Sequence, residues 1–305
     1  MRTGRARGAS PGAYLAPVLR RVALPSALVA LACASPGAEP VPAARATAAA
    51  GPEATVLDAP RARGGRADTL GEPAWLAASP AGRVAVLTGR LDPAADTGFV
   101  ALAPAYTDGD GTYLLRREAA AALAAMIDAA RADGVELRVR SATRDHARQT
   151  AIWEAKWRGE RTLSNGVNLA EASLSDSAKA RMILLYSSMP GTSRHHWGTD
   201  VDLNAFDNAY FDAGRGAAEY AWLRAHAGAY GFRQPYTDKS GGRTGYEEER
   251  WHWSYAPLAV ALLRAYAGAV DYGDIGGFAG AEVAPAVGAI EEYVLGVNPE
   301  LLPGS

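Results

Sequence analysis

The sequence predicts an α+β domain, a small antiparallel sheet flanked by helices, and three observations carry that prediction. Within residues 114–132, Leu123, Met126, Ile127 and Ala130 recur at helical spacing, and Gly134 closes the segment. The run Val135-Glu136-Leu137-Arg138-Val139-Arg140 alternates strictly between apolar and ionic residues, the pattern of a strand with one buried face. The order in which further strands and helices follow these two places helices around a small antiparallel sheet.

Taken in order, the chain of 305 residues begins with Arg2, Arg5, Arg7, Arg20 and Arg21 ahead of an apolar run from Val22 to Ala32, interrupted by Pro25. That run is well short of the ~20 residues needed to cross a bilayer, so it reads as an export signal spanning residues 1–33, and no transmembrane helix is expected in the mature chain. Two processing readings compete. Ala32-Cys33-Ala34 fits the small-x-small site of an ordinary signal peptide, whereas Leu31-Ala32-Cys33 resembles a bacterial lipobox, in which Cys33 would carry a lipid anchor. Residues 34–83 are rich in Ala, Pro, Gly and Arg with few large apolar side chains. They cannot bury enough surface to offset the entropy of ordering, and they read as a flexible linker.

The main domain is expected over 84–268. Short apolar pieces, Val84 to Leu87 and Phe99 to Leu102, precede the helix at 114–132 and the strand at 135–140, which delivers Arg144 at its far end. A helix runs through Gln149, Ile152, Trp153 and Lys156, residues 158–176 are loop-like, and Ala178 to Ser187 forms a short helix. Trp197 to Leu203 reads as a strand, Glu219 to Tyr230 as a helix stopped by Gly231, and 234–247 as a loop marked by Pro235 and Gly241-Gly242. Arg250 to Tyr255 reads as a strand with His252 on one face and Trp251 and Trp253 on the other, and Pro257 to Ala267 as a closing helix. A C-terminal extension, 269–305, is Gly-rich and then helical from Pro285 to Leu295.

Composition narrows the chemistry. The net charge of −2 shows no basic field for nucleic acid. Cys33 is the only cysteine, so no intrachain disulfide, cysteine nucleophile or thiolate metal site exists in the main domain. A metal site must use carboxylates and the five histidines, His146, His195, His196, His226 and His252.

The most informative stretch is Ser193-Arg194-His195-His196-Trp197-Gly198-Thr199-Asp200-Val201-Asp202, answered by Glu249-Arg250-Trp251-His252. Two neutral imidazoles and a carboxylate can hold zinc and leave a fourth position for water, and a nearby glutamate that is not a ligand can accept that water's proton. If residues 198–203 are extended, Asp200 and Asp202 share one face, so spacing alone leaves open which of them binds metal. A lone histidine between two tryptophans would otherwise read as a core imidazole, and Glu247-Glu248-Glu249 as a solvated face. His146 and His226 are most simply structural.

The first segment resembles the Ser-x-His-x-x-Gly-x-Ala-x-Asp signature of the zinc D-Ala-D-Ala carboxypeptidases and dipeptidases, relatives of lysostaphin-type peptidases and the hedgehog signalling domain. The resemblance implies that fold. It also implies His195 and Asp202 as zinc ligands, and its Glu-x-x-His element implies His252 as the third ligand and Glu249 as the catalytic base. Position 200 holds Asp where the signature has a small residue; Asp200 reads as an acceptor behind a ligating histidine, since such histidines usually donate their other N–H to a carboxylate, and His196 reads as a second, non-ligating partner. Ser141-Ala142-Thr143-Arg144 with Gln149 is similar to the family's Ser-x-aromatic-Arg-Ser segment and its downstream Gln. This block implies that Arg144 binds substrate and steadies the oxyanion, a role suited to a planar, permanently charged guanidinium. Gln149 is a further candidate for substrate contact, and Ser193 either binds a substrate carboxylate or caps the turn it precedes.

The expected function is removal of the terminal D-Ala from peptidoglycan stem peptides by a zinc peptidase at 84–268, in the periplasm or cell envelope. Two alternatives stand beside it: an endopeptidase of the same family, cutting L-Ala-D-Glu or a cross-bridge, and a non-catalytic, zinc-structured wall-binding module. Presence of Glu249 argues against the last, because a structural site needs no base.

Overall fold

The computed structural model describes residues 72–302 apart from 77, 78, 110 and 172. The expected signal segment, Cys33 and most of the linker lie outside the described residues. Helix α1 (Pro80–Leu87) is capped by Ser79, whose hydroxyl accepts from the Gly82 N–H, and carries Pro80 where a missing N–H costs nothing. The domain start expected at Val84 therefore falls inside a helix. Strands β1 (Phe99–Ala101) and β2 (Leu114–Arg116) form an antiparallel ribbon, and α2 (Arg117–Ala132) follows without a break. The helical period starting at 114 loses its first three residues to β2, because pairing with β1 and a hydrogen bond from Arg116 N–H to the Gly198 carbonyl (2.9 Å) outweigh local propensity.

The alternating run at 135–140 yields a shorter strand, β3 (Val139–Ser141). Helix α3 (His146–Trp157) is capped by the Asp145 carboxylate on the Arg148 N–H, and α4 (Asp176–Ile183) by Ser175. Then come β4 (Asp200–Leu203), α5 (Gly214–His226), β5 (Phe232–Arg233), β6 (His252–Tyr255), α6 (Ala256–Ala269) and α7 (Ala284–Val287). Two further expected strands are also shorter than the sequence suggested. Arg194–Trp197 is a 3-10 turn ended by Gly198 in the left-handed region, φ 76°, so extension begins only at Asp200. Glu249 to Trp251 turns ahead of β6, the His252 N–H donating to the Glu249 carbonyl at 3.3 Å. The helix expected over 285–295 is broken at Gly288, φ 67°, into α7 and a π-helical turn, Ala289–Val294.

The main sheet has the order β3-β4-β6-β5, antiparallel throughout. In the β4–β6 pair, Asp200 opposes Ser254, Val201 opposes Trp253, and Asp202 opposes His252. Side chains alternate, so Val201, Leu203 and Trp253 fall on one face with Val139 and Phe232. There they form a core with Leu123, Met126 and Ile127 of α2 and Leu223 of α5. The opposite face carries Asp200, Asp202, His252 and Ser254, all buried. A second core joins Leu87, Trp153, Trp197, Leu262 and Tyr266, and Val270, Ile275, Phe278 and Val297 from the C-terminal stretch pack into it. The α+β class expected from the element order is the observed one.

Gly198 ties this packing to the functional segment. A Cβ there would lie 2.4 Å from Cε1 of Phe99 and 3.1 Å from Cγ of Arg116. Left-handed strain and overpacking together predict a loss of roughly 2–4 kcal/mol for Gly198→Ala. Urea denaturation measures this, and a wild-type midpoint would show that the turn yields to a side chain.

Candidate active site

The strand register makes the site. Asp202 on β4 and His252 on β6 are cross-strand partners, and the turn before β4 brings His195 over them. The Nδ1–H of His195 donates to the Ala142 carbonyl at 2.8 Å, which leaves Nε2 facing Asp202 Oδ2 at 3.4 Å. One potential ligand atom from each of His195, Asp202 and His252 lies within 4.8 Å of the others. Asp202 Oδ1 is buried without a hydrogen-bond partner. An unsatisfied carboxylate oxygen beside two imidazoles is the environment a divalent cation neutralises, and a His–Asp–His donor set suits zinc. The three residues therefore fit the implied metal.

His252 is held at both nitrogens. Its Nε2 lies 2.9 Å from Asp200 Oδ2, while Nδ1 faces Glu249 Oε2 at 2.9 Å and Asp202 Oδ1 at 3.9 Å. Asp200 is one step behind the cluster and fully engaged. Its Oδ1 accepts from Thr199 Oγ1 (2.6 Å) and Ser254 Oγ (2.8 Å), and its Oδ2 from Arg194 Nε (3.0 Å). Arg194 Nη2 also donates to Ser254 Oγ at 2.6 Å, so the network is continuous and buried. Burial opposes charge on Asp200, but Arg194 and His252 outweigh it and hold the carboxyl below the usual range. Burial likewise opposes charge on Asp202, and His195 and then His252 overcome it. The two aspartates share a face, as their spacing requires, yet only Asp202 has an open oxygen.

Glu249 is 5% exposed and lines the cleft. Burial raises its pKa, His252 opposes the rise and Asp202 adds to it. Arg144 stands across the cluster. Its Nε donates to Gln149 Oε1 at 3.0 Å and its Nη1 to Ser141 Oγ at 2.7 Å and Asp202 Oδ2 at 3.3 Å. Gln149 donates in turn to the Ser188 carbonyl at 2.8 Å, so both its polar ends serve to hold Arg144. His196 points away from the three clustered residues. Its ring bridges the Arg144 carbonyl (2.6 Å) and the Gly191 N–H (3.1 Å), a neutral clamp whose pKa burial pushes down to about 3. Ser193 is buried with its Oγ unpartnered, neither lining the cleft nor capping the turn it precedes. Its position gives no support to substrate contact. His146 stacks against His196 and His226 packs on Trp222, both outside the cluster.

The cleft has a volume of about 330 Å³. Its wall includes residues that sequence reasoning did not single out: Lys156, Tyr186, Tyr236 and Trp251. Tyr236 sets its ring edge-on to His252 at 5.0 Å. Trp251, expected on the face opposite His252, sits in the preceding turn and reaches the cleft, whereas Trp253 is in the core. Arg194 and Ser254 were also missed. Their signal lay in the pattern: Ser254 is two residues from His252 on a strand, and Arg194 shares the functional segment with the unusual Asp200.

Fold and site together define an α+β domain with a His–Asp–His cluster that could hold a metal ion beside a buried glutamate. Residues 112–258 match the model of VanY, the D-alanyl-D-alanine carboxypeptidase family. A protein of Bacillus subtilis that carries a carboxypeptidase name, YodJ, is 32% identical over 151 residues, 49% of each chain. A D-alanyl-D-alanine carboxypeptidase of Enterococcus faecalis is 32% identical over 136 residues, 45% of this chain and 46% of the relative. The structure of VanYB in complex with D-alanine-D-alanine is 30% identical and superposes with a TM-score of 0.39, covering 51% of this chain and 79% of that one. Over residues 112–258 the chain is similar to the VanY family. It spans about half the length of the curated relatives it matches.

Asp200→Asn is expected to weaken zinc affinity about 10- to 100-fold, as loss of a group orienting a ligand does. It also leaves buried Arg194 without its counter-charge, at roughly 3–5 kcal/mol. Competition with a chromophoric chelator and a denaturation curve measure the two effects. Wild-type affinity would mean that Asp200 does not orient His252.

Proposed function

We propose that this chain is a zinc-dependent D,D-carboxypeptidase that removes the terminal D-Ala from peptidoglycan stem peptides. The observation that carries the reading is the Asp202–His252 cross-strand pair closing on His195 with buried Glu249 beside it, inside a segment similar to the VanY family. His195 through Nε2, His252 through Nδ1 and Asp202 would hold zinc, which when bound acidifies water and polarises a carbonyl.

The side chains supply the remainder. Glu249 takes the proton of the attacking water and passes it to the leaving amine. Its raised pKa brings it nearer the range in which it can both accept and release a proton. Arg144 donates to the scissile carbonyl oxygen as negative charge develops there. Gln149 and Ser141 fix its guanidinium in advance, so no reorganisation is needed at the moment of reaction. Asp200 keeps the Nε2–H of His252 engaged and Nδ1 turned to the site. His196 holds the Arg144 backbone in place.

The arginine-flanked apolar run before Cys33 supports export to the periplasm or cell envelope, with Cys33 as the anchor if the lipobox reading holds. Among the described residues, no helix is long and apolar enough to cross a membrane.

Mass spectrometry of muropeptides incubated with and without chelator tests the reaction. The expected result is chelator-sensitive release of terminal D-Ala. Cleavage inside the stem peptide instead would replace this reading with the endopeptidase one. Glu249→Gln should keep zinc and lose ~10²–10⁴-fold or more in turnover, because the amide cannot accept the proton. Activity within a few-fold of wild type, with zinc bound, would move the base elsewhere. Arg144→Lys should lower kcat roughly 10²-fold at unchanged zinc content, since an ammonium keeps the charge but not the planar fork. Wild-type kinetics in that variant would remove Arg144 from the oxyanion role.

A further inference from the structure

The reaction above leaves one deeply buried cation of the cleft without a task. Lys156 lines the cleft from α3 and is 7% exposed, whereas Arg140, Arg148 and Arg161 of the same wall are exposed. Its Nζ donates to Ser187 Oγ. Among the described residues it forms no ion pair with a carboxylate; Glu249 acts on it only at longer range. An ammonium taken out of water without a counter-charge is costly. Burial pushes its pKa down to about 8, Arg161 and Arg144 adding to the shift and Glu249 opposing it. It is still mainly a cation at neutral pH.

Its placement says what it awaits. Gln149, Ile152 and Lys156 recur along one face of α3 and all line the cleft. Gln149 holds the guanidinium of Arg144, so Lys156 continues the wall on which the scissile carbonyl is set. The cleft wall carries five cationic side chains, Arg140, Arg144, Arg148, Lys156 and Arg161, against Asp202 and Glu249. Asp202 is committed to the metal cluster, so the space favours an anionic guest. In a peptide, the free carboxylate of the last residue lies one residue, ~3.5 Å, beyond the preceding carbonyl. A chain that continued past this point would offer a neutral amide to a buried ammonium and leave the charge unpaired.

Building on the carboxypeptidase reading, we propose that Lys156 is the receptor for the substrate's terminal α-carboxylate and so restricts the cleft to chain ends. The pairing forms only when a free C-terminus is bound, which places the discrimination in a desolvated charge pair. The exposed arginines at the rim are solvated and discriminate less.

The test uses the zinc-loaded full chain and two probes, an N-acyl-Lys-D-Ala-D-Ala peptide and the same peptide as its C-terminal amide. Wild type is expected to favour the acid by about 10²-fold in kcat/KM. In Lys156→Met and Lys156→Gln the preference should collapse to within about threefold of unity, with zinc content unchanged. Lys156→Arg should keep most of it. Thermal denaturation of Lys156→Met should show equal or higher stability, because a buried unpaired charge has been removed. A wild-type acid preference in the Met and Gln variants, or equal losses on both probes with a lowered melting temperature, would overturn the assignment of Lys156 while leaving the carboxypeptidase reading intact. Absence of D-Ala release from the acid by wild type would overturn that reading, and this inference with it.

Discussion

Asp202 and His252 face one another across the β4–β6 pair, and the same register sets Asp200 against Ser254 two residues along. The side-chain period of a strand is two, so a slip of β4 by one residue would turn Val201 and Leu203 toward the cleft and drive both aspartates into the apolar core. The core beneath the sheet therefore enforces the geometry of the site above it. Val201, Leu203 and Trp253, packed against α2 and α5, are the reason Asp202 meets His252.

The polar face depends on a second constraint, the buried contact between Arg194 and Asp200. Asp200 alone would be a carboxylate out of water. With Arg194, Thr199, Ser254 and His252 around it, its oxygens are filled, and it can hold an imidazole without competing for a cation. The site thus separates two chemically identical side chains by environment. One aspartate is saturated with donors, and the other keeps an open oxygen toward the cluster. His196 and Gln149 extend this support to the opposite wall, fixing the backbone and the guanidinium of Arg144.

Much of this was legible in the residues themselves. The segment from Ser193 to Asp202, the Glu249–His252 pair and the Ser141–Gln149 block carried the cluster, the glutamate and the arginine. The helical spacing within 114–132 carried α2, though not its start at Arg117. Element boundaries were less legible where a single glycine decides them. Gly198 and Gly288 adopt positive φ and interrupt segments whose apolar spacing reads as continuous. The turn at 250–251 is invisible to alternation, which placed Trp251 and Trp253 on one face although one lines the cleft and the other the core.

The sequence by itself determined which side chains were available: one cysteine outside the main domain, five histidines, and the short motifs that limit a metal site to imidazole and carboxylate. Local spacing also determined that Asp200 and Asp202 share a face. Which of the two is open, where Lys156 is buried and what holds Arg144 were decided by tertiary structure. Each depends on partners far along the chain: Ser254 for Asp200, Ser187 for Lys156, Ser188 through Gln149 for Arg144. Periodicity reports only which way a side chain points. The charge and hydrogen bonds it meets there come from other segments, and those set its chemistry.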